Sequence, residues 1–373
     1  MIGREEITTL LERPRAVTFA YVDGRGPEPQ VVEEQRRDAV TRRLREAGAP
    51  DDDARAIEDA LEREPGLPAP SSRYVLAEDG EIILDESLPG PRSGPELLGH
   101  SMLPPVLPLL RDRTDGIRYL VVEAGRGSAE VRVERAGREP EWAETVEGRT
   151  DALPKVSVGG WSQANYQRSS EQIWKQNEAD VAELVDALTQ QHSPEFIVIS
   201  GDIRARQLLI DQLGVAARKL VIVVDSHTHA AGADRESLDR AIEEAIQDHL
   251  QRSEDAVDTA ASEGAGRSGA RGLGPVVEAL REARVERLLL DARMQDSGRT
   301  LDALDRAPWI AFGEQDALDA QIVEHLPEAE ALARAALLTG ADVIVAEDHP
   351  ADDEAREPRE VREPVAALRW PDG

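Results

Sequence analysis

The sequence of 373 residues contains no cysteine. Without thiols the chain has neither a disulfide framework nor a thiolate metal site, which fits a cytoplasmic protein. No apolar run approaches the ~20 residues that a helix needs to cross a bilayer, and the first residues lack the basic and apolar regions of a signal peptide. We therefore expect a cytoplasmic protein with no membrane partner.

Positive charge is scarce as well. The chain has 44 Lys and Arg against 74 Asp and Glu, which gives a formal net charge of −30. Because phosphate binding needs clustered Lys and Arg, this balance argues against broad, nonspecific binding to nucleic acid and against DNA as a partner. It is compatible with local contacts to RNA phosphates.

Common catalytic signatures are also missing from the sequence. It has neither a Gly-x-Ser-x-Gly elbow nor a P-loop. Gly125 and Gly127 could form a phosphate loop, but a strand pattern follows them instead of a helix, so a hairpin turn is favoured. Asp51, Asp52 and Asp53 could bind a cation, but the start of a helix explains them better. We expect no cofactor and no catalytic residue at these positions.

The residue types of a metal site occur together in Asp225-Ser-His227-Thr-His229, at the end of an apolar strand pattern. Two histidines at alternate strand positions can bind one metal, as in the amidohydrolase barrels that this short motif resembles. Such a barrel needs eight strand-helix units, and too few follow this motif. A polar loop is therefore the favoured interpretation, and we expect no metal.

Changes in pattern divide the chain into parts. Residues 1–112 mix helical and strand patterns and indicate an N-terminal α+β domain. Residues 115–252 contain continuous apolar strand patterns, which are typical of a sheet covered on both faces. Residues 253–271 are rich in glycine and small residues, as in a flexible linker or loop, and residues 272–373 repeat strand and helix. The sequence predicts the α/β class with three domains.

The most distinctive stretch is Lys-Val-Ser-Val-Gly-Gly-Trp-Ser-Gln at residues 155–163, which leads into the longest helical pattern of the chain. Two adjacent glycines let the backbone adopt positive φ and approach another surface closely. Ser162 can cap the first turn of the helix that follows. An ordinary strand-to-helix turn is the alternative interpretation.

This order of parts resembles the archaeal and eukaryotic class I peptide-chain release factors and their relative pelota. In that family Gly-Gly-Gln-Ser-Ala precedes an aromatic residue and an arginine on the helix. Here Gly-Gly-Trp-Ser-Gln precedes Tyr166 and Arg168. That pentapeptide and residues 276–291 are typical of the bacterial branch, which includes the Balon-like ribosome hibernation factors and their mycobacterial relatives.

The resemblance implies a mixed-sheet middle domain and a C-terminal α/β sandwich like that of kink-turn-binding ribosomal proteins. It implies the ribosome as partner, with the loop in the A site near the peptidyl transferase centre and in contact with large-subunit rRNA. Whether tRNA or a translational GTPase such as EF-Tu takes part stays open. The predicted ribosome-binding loop consists of Gly159, Gly160, Trp161, Ser162 and Gln163. The predicted rRNA contacts are Lys155, Tyr166, Arg168, Lys175, Arg204 and Arg206.

The sequence also departs from a release factor. Trp161 stands where the family has the glutamine that helps to position water, and indole has one donor, no acceptor and far more bulk. No Asn-Ile-Lys-Ser motif for reading stop codons occurs. We therefore predict a ribosome-bound hibernation or stress factor that does not hydrolyse peptidyl-tRNA. The alternative is a peptidyl-tRNA hydrolase that rescues stalled ribosomes, with Gln163 as substitute; a third interpretation is binding to another protein or a free RNA.

Overall fold

The computed structural model describes residues 4–64, 66–67, 69–111, 117–125, 127–136, 140–148, 162–224, 235–263, 268–347 and 361–370. The chain folds into two compact units. The first is made of Met1–Arg113 together with Gln251–Gly373, and the second is Thr114–Leu250. No helix within these described ranges has the length and apolar character needed to span a membrane.

The N-terminal portion of the first unit is an antiparallel sheet in the order β3-β2-β1-β4, with α2 and α3 packed on one face. Strands β3 and β4 occupy part of residues 87–108, where the Pro- and Gly-rich pattern predicted only an irregular connection. The elements are α1 (Arg4–Glu12), β1 (Val17–Asp23), α2 (Gln30–Glu46), α3 (Asp51–Glu62), β2 (Ser71–Glu78), β3 (Glu81–Pro89), β4 (Leu97–Ser101) and α4 (Leu107–Arg111).

One of the three aspartates at the start of α3 has a structural role in this portion. Asp53 is 1% exposed, and its carboxylate accepts hydrogen bonds of 2.7 Å from the Thr18 hydroxyl and from the Gly80 N–H. It therefore ties α3 to β1 and to the turn of the β2-β3 hairpin. These bonds, together with its place in the first turn of α3, explain why an aspartate occupies this position.

The second unit is a five-stranded sheet in the order β7-β6-β5-β8-β9, in which β5, β8 and β9 are parallel. The antiparallel β5-β6 pair forms the hairpin that the pattern around Gly125 and Gly127 predicts. Helices α5, α6 and α7 cover one face, and the start of α8 covers the other. The elements are β5 (Arg118–Ala124), β6 (Ser128–Arg135), β7 (Trp142–Glu147), α5 (Ser162–His192), β8 (Phe196–Gly201), α6 (Ile203–Gln212), α7 (Val215–Arg218), β9 (Val221–Val223) and α8 (Arg235–Glu263).

The C-terminal portion of the first unit contains a sheet in the order β10-β16-β11-β15 and a smaller sheet in the order β13-β12-β14. It alternates strands and helices, and with the other sheets it confirms the predicted α/β class. The elements are β10 (Gly269–Arg271), α9 (Leu273–Arg281), β11 (Val285–Asp291), β12 (Thr300–Leu304), β13 (Ile310–Ala311), β14 (Ile322–Pro327), α10 (Glu328–Leu338), β15 (Asp342–Ala346) and β16 (Val365–Leu368).

Residues 253–271, predicted as a flexible linker, are largely regular structure. Helix α8 continues to Glu263, and β10 begins at Gly269. The helix continues because Val257, which is 1% exposed, packs with Leu289 and Val365. The glycines of this stretch thus begin only after the helix has ended. The division of the chain into three domains with the predicted boundaries remains a prediction.

The N- and C-terminal portions of the first unit share one hydrophobic core around α10. Two buried charges of α10 also bind the ends of N-terminal helices. The Glu330 carboxylate accepts from the N–H groups of Val106 (2.8 Å) and Leu107 (3.2 Å), at the start of α4. Arg334 donates to the Leu11 carbonyl at 3.4 Å, near the end of α1. Each charge opposes the partial charge of the helix end that it contacts.

Burial raises the pKa of the Glu330 carboxyl to about 7, although the two N–H groups and nearby Arg111 act in the opposite direction. Arg111 itself forms a bidentate pair with Glu347, with N–O distances of 2.6 and 2.7 Å. The two portions are therefore joined by hydrogen bonds and an ion pair as well as by apolar packing. Residues far apart in the chain thus form one unit.

Candidate functional site

Helix α5 presents the predicted loop at its N-terminal end. It begins at Ser162, as the sequence pattern predicts, and its 31 residues end at His192. Its second half packs on the sheet, because Val181, Val185 and Leu188 recur at helical spacing and are at most 5% exposed. This half of α5 anchors the helix in the second unit.

The parallel strands β5 and β8 end side by side at a tightly packed edge. Gly201, the last residue of β8, has a φ of +105°, and a Cβ there would lie 2.1 Å from the Ala124 carbonyl oxygen. Only glycine fits both conditions. The next residue, Asp202, accepts from the N–H groups of Arg204 (3.0 Å) and Ala205 (3.2 Å) and caps α6.

A second close approach fixes where α5 meets this edge. Gly148 follows β7, and a Cβ there would lie 2.2 Å from the Asn177 side-chain nitrogen. Asn177 therefore marks the level of the sheet edge on α5. Fifteen residues separate Ser162 from Asn177, which at 1.5 Å per residue is ~22 Å of helix. Residues 149–161, which lie outside the described residues, thus join the sheet edge to the far end of this helical arm.

Some of the predicted site residues lie in α5, and others lie outside the described residues. Ser162, Gln163, Tyr166 and Arg168 belong to α5, and Lys175 is an exposed residue of the same helix. The backbone carbonyl of Lys175 accepts from the Gln212 side chain at 3.1 Å. The other predicted site residues lie outside the described residues; they are the rRNA contact Lys155 and the loop residues Gly159, Gly160 and Trp161.

The two arginines predicted from α6 differ in their surroundings. Arg204 is exposed in the first turn of the helix. Arg206 is 4% exposed, and its guanidinium donates to the carbonyl of Val224, directly after β9. Its position is that of a structural residue that joins α6 to the end of β9, and it offers no free face to RNA.

Glu178 lies on α5 beside the sheet edge where β5 and β8 end, and the sequence pattern does not predict a role for it. Its side chain is 3% exposed, and its Oε2 has no hydrogen-bond partner. Burial, and then the nearby charge of Asp202, raise the pKa of its carboxyl to about 8. A signal was present, since residues 178, 181, 185 and 188 follow the spacing of the buried stripe. Because this stripe of α5 faces the sheet, a glutamate at position 178 is buried with it.

The sequence favours a polar loop over a metal site for the Asp225-Ser-His227-Thr-His229 motif. Asp225, His227 and His229 lie outside the described residues, directly after β9 and Val224. Within the part of the chain that the structure describes, no group of three or more His, Asp or Glu residues is arranged to hold a metal ion.

Residues 118–267 match the family model of bacterial archaeo-eukaryotic release factor family 2. This region contains the sheet of the second unit, the Gly-Gly-Trp loop and all of α5. It covers less than half of the chain. No curated protein matches the sequence.

Several solved structures resemble the chain at low identity. An archaeal translation termination factor, aRF1, is 15% identical over 99% of both chains, with a TM-score of 0.28. Pelota of Archaeoglobus fulgidus is 18% identical over 81% of this chain and 80% of its own, with a TM-score of 0.37. Dom34 of S. cerevisiae, a translation termination-like factor, is 10% identical over 99% of this chain and 93% of its own, with a TM-score of 0.39. These scores are too low to bear on function, and the family match is the finding that does. The region from residue 118 to residue 267 belongs to a bacterial archaeo-eukaryotic release factor-like family.

Proposed function

We propose that this protein is a ribosome-binding translation factor that occupies the A site and acts in hibernation or stress without hydrolysing peptidyl-tRNA. The observation that carries the proposal is the position of the Gly-Gly-Trp loop. It lies directly before a 31-residue helix within the region that matches the release-factor family. Two adjacent glycines at the end of a helical arm give the backbone the freedom to enter a confined RNA site.

The distribution of charge supports this orientation. Residues 149–177 contain four Lys or Arg and two Asp or Glu, although the whole chain has a net charge of −30. The acidic residues of α5 are concentrated in the half that packs on the sheet. The arm and its loop are therefore suited to approach phosphate while most of the surface repels it. The acidic residues of that packed half are Glu178, Asp180, Glu183 and Asp186.

Trp161 distinguishes the proposed role from hydrolysis. Its indole has no acceptor to orient a water molecule, but it offers a large aromatic face on which an exposed base can stack. A loop of this kind fills a catalytic centre and does not supply a catalytic group. The same proposal places the protein in the cytoplasm with rRNA as its main contact, and delivery by a translational GTPase such as EF-Tu is a further part to be tested.

Trp161→Ala is expected to weaken association with ribosomes by roughly tenfold, because stacking on one base contributes about 1–3 kcal/mol. The measurement is cosedimentation of the full chain with purified bacterial ribosomes at moderate salt, over a range of protein concentrations. Trp370→Ala is the matched control, since Trp370 is 50% exposed and lies in the first unit. Equal binding of Trp161→Ala and wild type, or no binding by wild type, would contradict the proposal.

The alternative, peptidyl-tRNA hydrolysis in rescue of stalled ribosomes, has a separate test. Ribosomes that carry labelled peptidyl-tRNA are mixed with saturating protein, and the released peptide is measured. We expect no release above background. Peptide release by the wild type that is lost in Gly160→Ala would contradict the non-hydrolytic proposal and support the enzymatic one. The proposal that the protein binds ribosomes would be unaffected.

A further inference from the structure

A groove lies between α8 and the sheet of the second unit, on the face opposite α5. Its volume is about 330 Å³, at the small end of the range for ligand cavities and suited to one or two side chains. Apolar and aromatic groups form its floor, and exposed carboxylates stand at its side. We call it the α8 groove; its floor includes Tyr119, Ala136, Ile242 and Ile246, and its acidic side is Asp239 and Glu243.

The polar groups at the floor of the α8 groove already have hydrogen-bond partners, and its aromatic ring is held by stacking. The ring of Tyr119 stacks on that of Phe196, with centroids 5.1 Å apart and planes 9° apart. Its hydroxyl donates to Glu134 at 3.0 Å, and Arg132 donates to the same carboxylate at 2.7 Å. Glu134 therefore has its own partners, and Arg132 is not available to the acids on α8.

Asp239 and Glu243 form no hydrogen bond or ion pair within the described part of the chain. They are four residues apart on one helix, a spacing at which like charges repel and destabilise the helix slightly. Burial is the main cause that raises the pKa of the Tyr119 phenol; the charge of Glu134 adds to it, and that of Asp239 makes a smaller contribution. Two unpaired carboxylates thus border an apolar, aromatic groove, and its described lining residues include neither Lys nor Arg.

We propose that the α8 groove binds an arginine-bearing basic segment of a partner protein. A guanidinium is planar, forms paired hydrogen bonds with carboxylates and packs well on aromatic and aliphatic surfaces. The two acids would hold the charged end, and the isoleucines and Tyr119 would contact the stem and the plane. RNA is the wrong class of partner for this surface, because Asp239 and Glu243 repel phosphate.

The test uses the full chain and a fluorescein-labelled peptide with three arginines spaced by leucine and glycine. Fluorescence anisotropy is measured at 150 mM salt, and a peptide with citrulline in place of arginine reports on the charge. The double variant Asp239→Asn/Glu243→Gln is compared with Glu183→Gln/Glu244→Gln. The control removes the same charge from exposed positions outside the groove.

Saturable binding of the arginine peptide by wild type and by the control, with roughly tenfold weaker binding by the groove variant, is the expected result. Absence of saturable binding to wild type overturns the proposal. Equal binding of the citrulline peptide overturns it as well, since charge would then be irrelevant. Equal weakening by both double variants shows general attraction to an acidic protein and also overturns it. Matching melting temperatures of the variants ensure that a loss is not caused by unfolding.

Discussion

Replacing Glu330 with alanine is expected to lower the unfolding free energy of the first unit by about 3 kcal/mol, because it leaves two buried N–H groups without an acceptor. Those groups belong to Val106 and Leu107, and Glu330 is 8% exposed on a helix whose residues from Glu328 to Leu337 are all buried. Glu330→Gln keeps a carbonyl oxygen at the same place. At pH 6, below the pKa of about 7, the protonated acid and the amide are near equivalents, and the glutamine variant should stay within about 1 kcal/mol of wild type.

The measurement is urea unfolding at pH 6, combined with hydrogen–deuterium exchange of peptides from α4 and α10. Exchange distinguishes the first unit from the second, which a whole-protein signal cannot do. Glu314→Ala, at an exposed position of the same unit, is the control and should shift stability by no more than about 0.5 kcal/mol. If alanine and glutamine at position 330 behaved alike, the carboxylate would not be the acceptor that joins α4 to α10.

The role of α10 shows which part of the fold a sequence can predict. Residues 326–339 have a helical pattern ended by Gly340, and the helix forms with nearly those bounds. Its charges predict an exposed face, yet Glu330 and Arg334 are buried because α4 and α1 supply the groups that pair with them. These partners lie more than 200 residues away in the chain. Local periodicity in the sequence cannot predict contacts between residues so far apart in the chain.

The second unit was easier to predict because its signals are local. Continuous apolar runs predict β8 and β9 as strands covered on both faces; β8 is buried throughout, whereas β9 lies at the sheet edge and is partly exposed. The glycine pair at 125 and 127 predicts the β5-β6 hairpin. The acidic stretch 139–151 did not indicate β7, since this edge strand is mostly exposed and lacks an apolar pattern. The approach of Gly148 to Asn177, which places the sheet edge along α5, depends on β7 and was therefore beyond sequence reasoning.

The residue types of the candidate site can be predicted from the sequence. The contacts that hold these residues in place cannot. The order of glycines, tryptophan and helix is a sequence feature, and α5 begins where that order places it. The sequence does not distinguish Arg206 from Arg204, because both lie at the start of the same helical pattern. Their surroundings differ because Arg206 faces the carbonyl after β9, and only the strand order brings those two segments together.

Glu178→Gln is expected to stabilise the second unit increasingly as pH rises. The folded-state pKa of this carboxyl is raised to about 8, so the native state holds its proton more tightly than the unfolded chain does. Between about pH 4.5 and pH 8 unfolding releases a proton, and the unfolding free energy of wild type falls as pH rises. The full shift corresponds to on the order of 5 kcal/mol. Glutamine never ionises, so the variant should match wild type near pH 5 and exceed it by about 2 kcal/mol or more at pH 8.

The measurement is hydrogen–deuterium exchange of α5 peptides at pH 5, 6, 7 and 8, corrected for the intrinsic pH dependence of exchange. Glu183→Gln removes an exposed carboxylate five residues further along the same helix and should follow wild type at every pH. A Glu178→Gln variant that loses protection in parallel with wild type would mean that Glu178 ionises normally in the fold. A separation of the two variants that is small at pH 5 and grows steadily up to pH 8 is the result that the burial of Glu178 beside Asp202 requires.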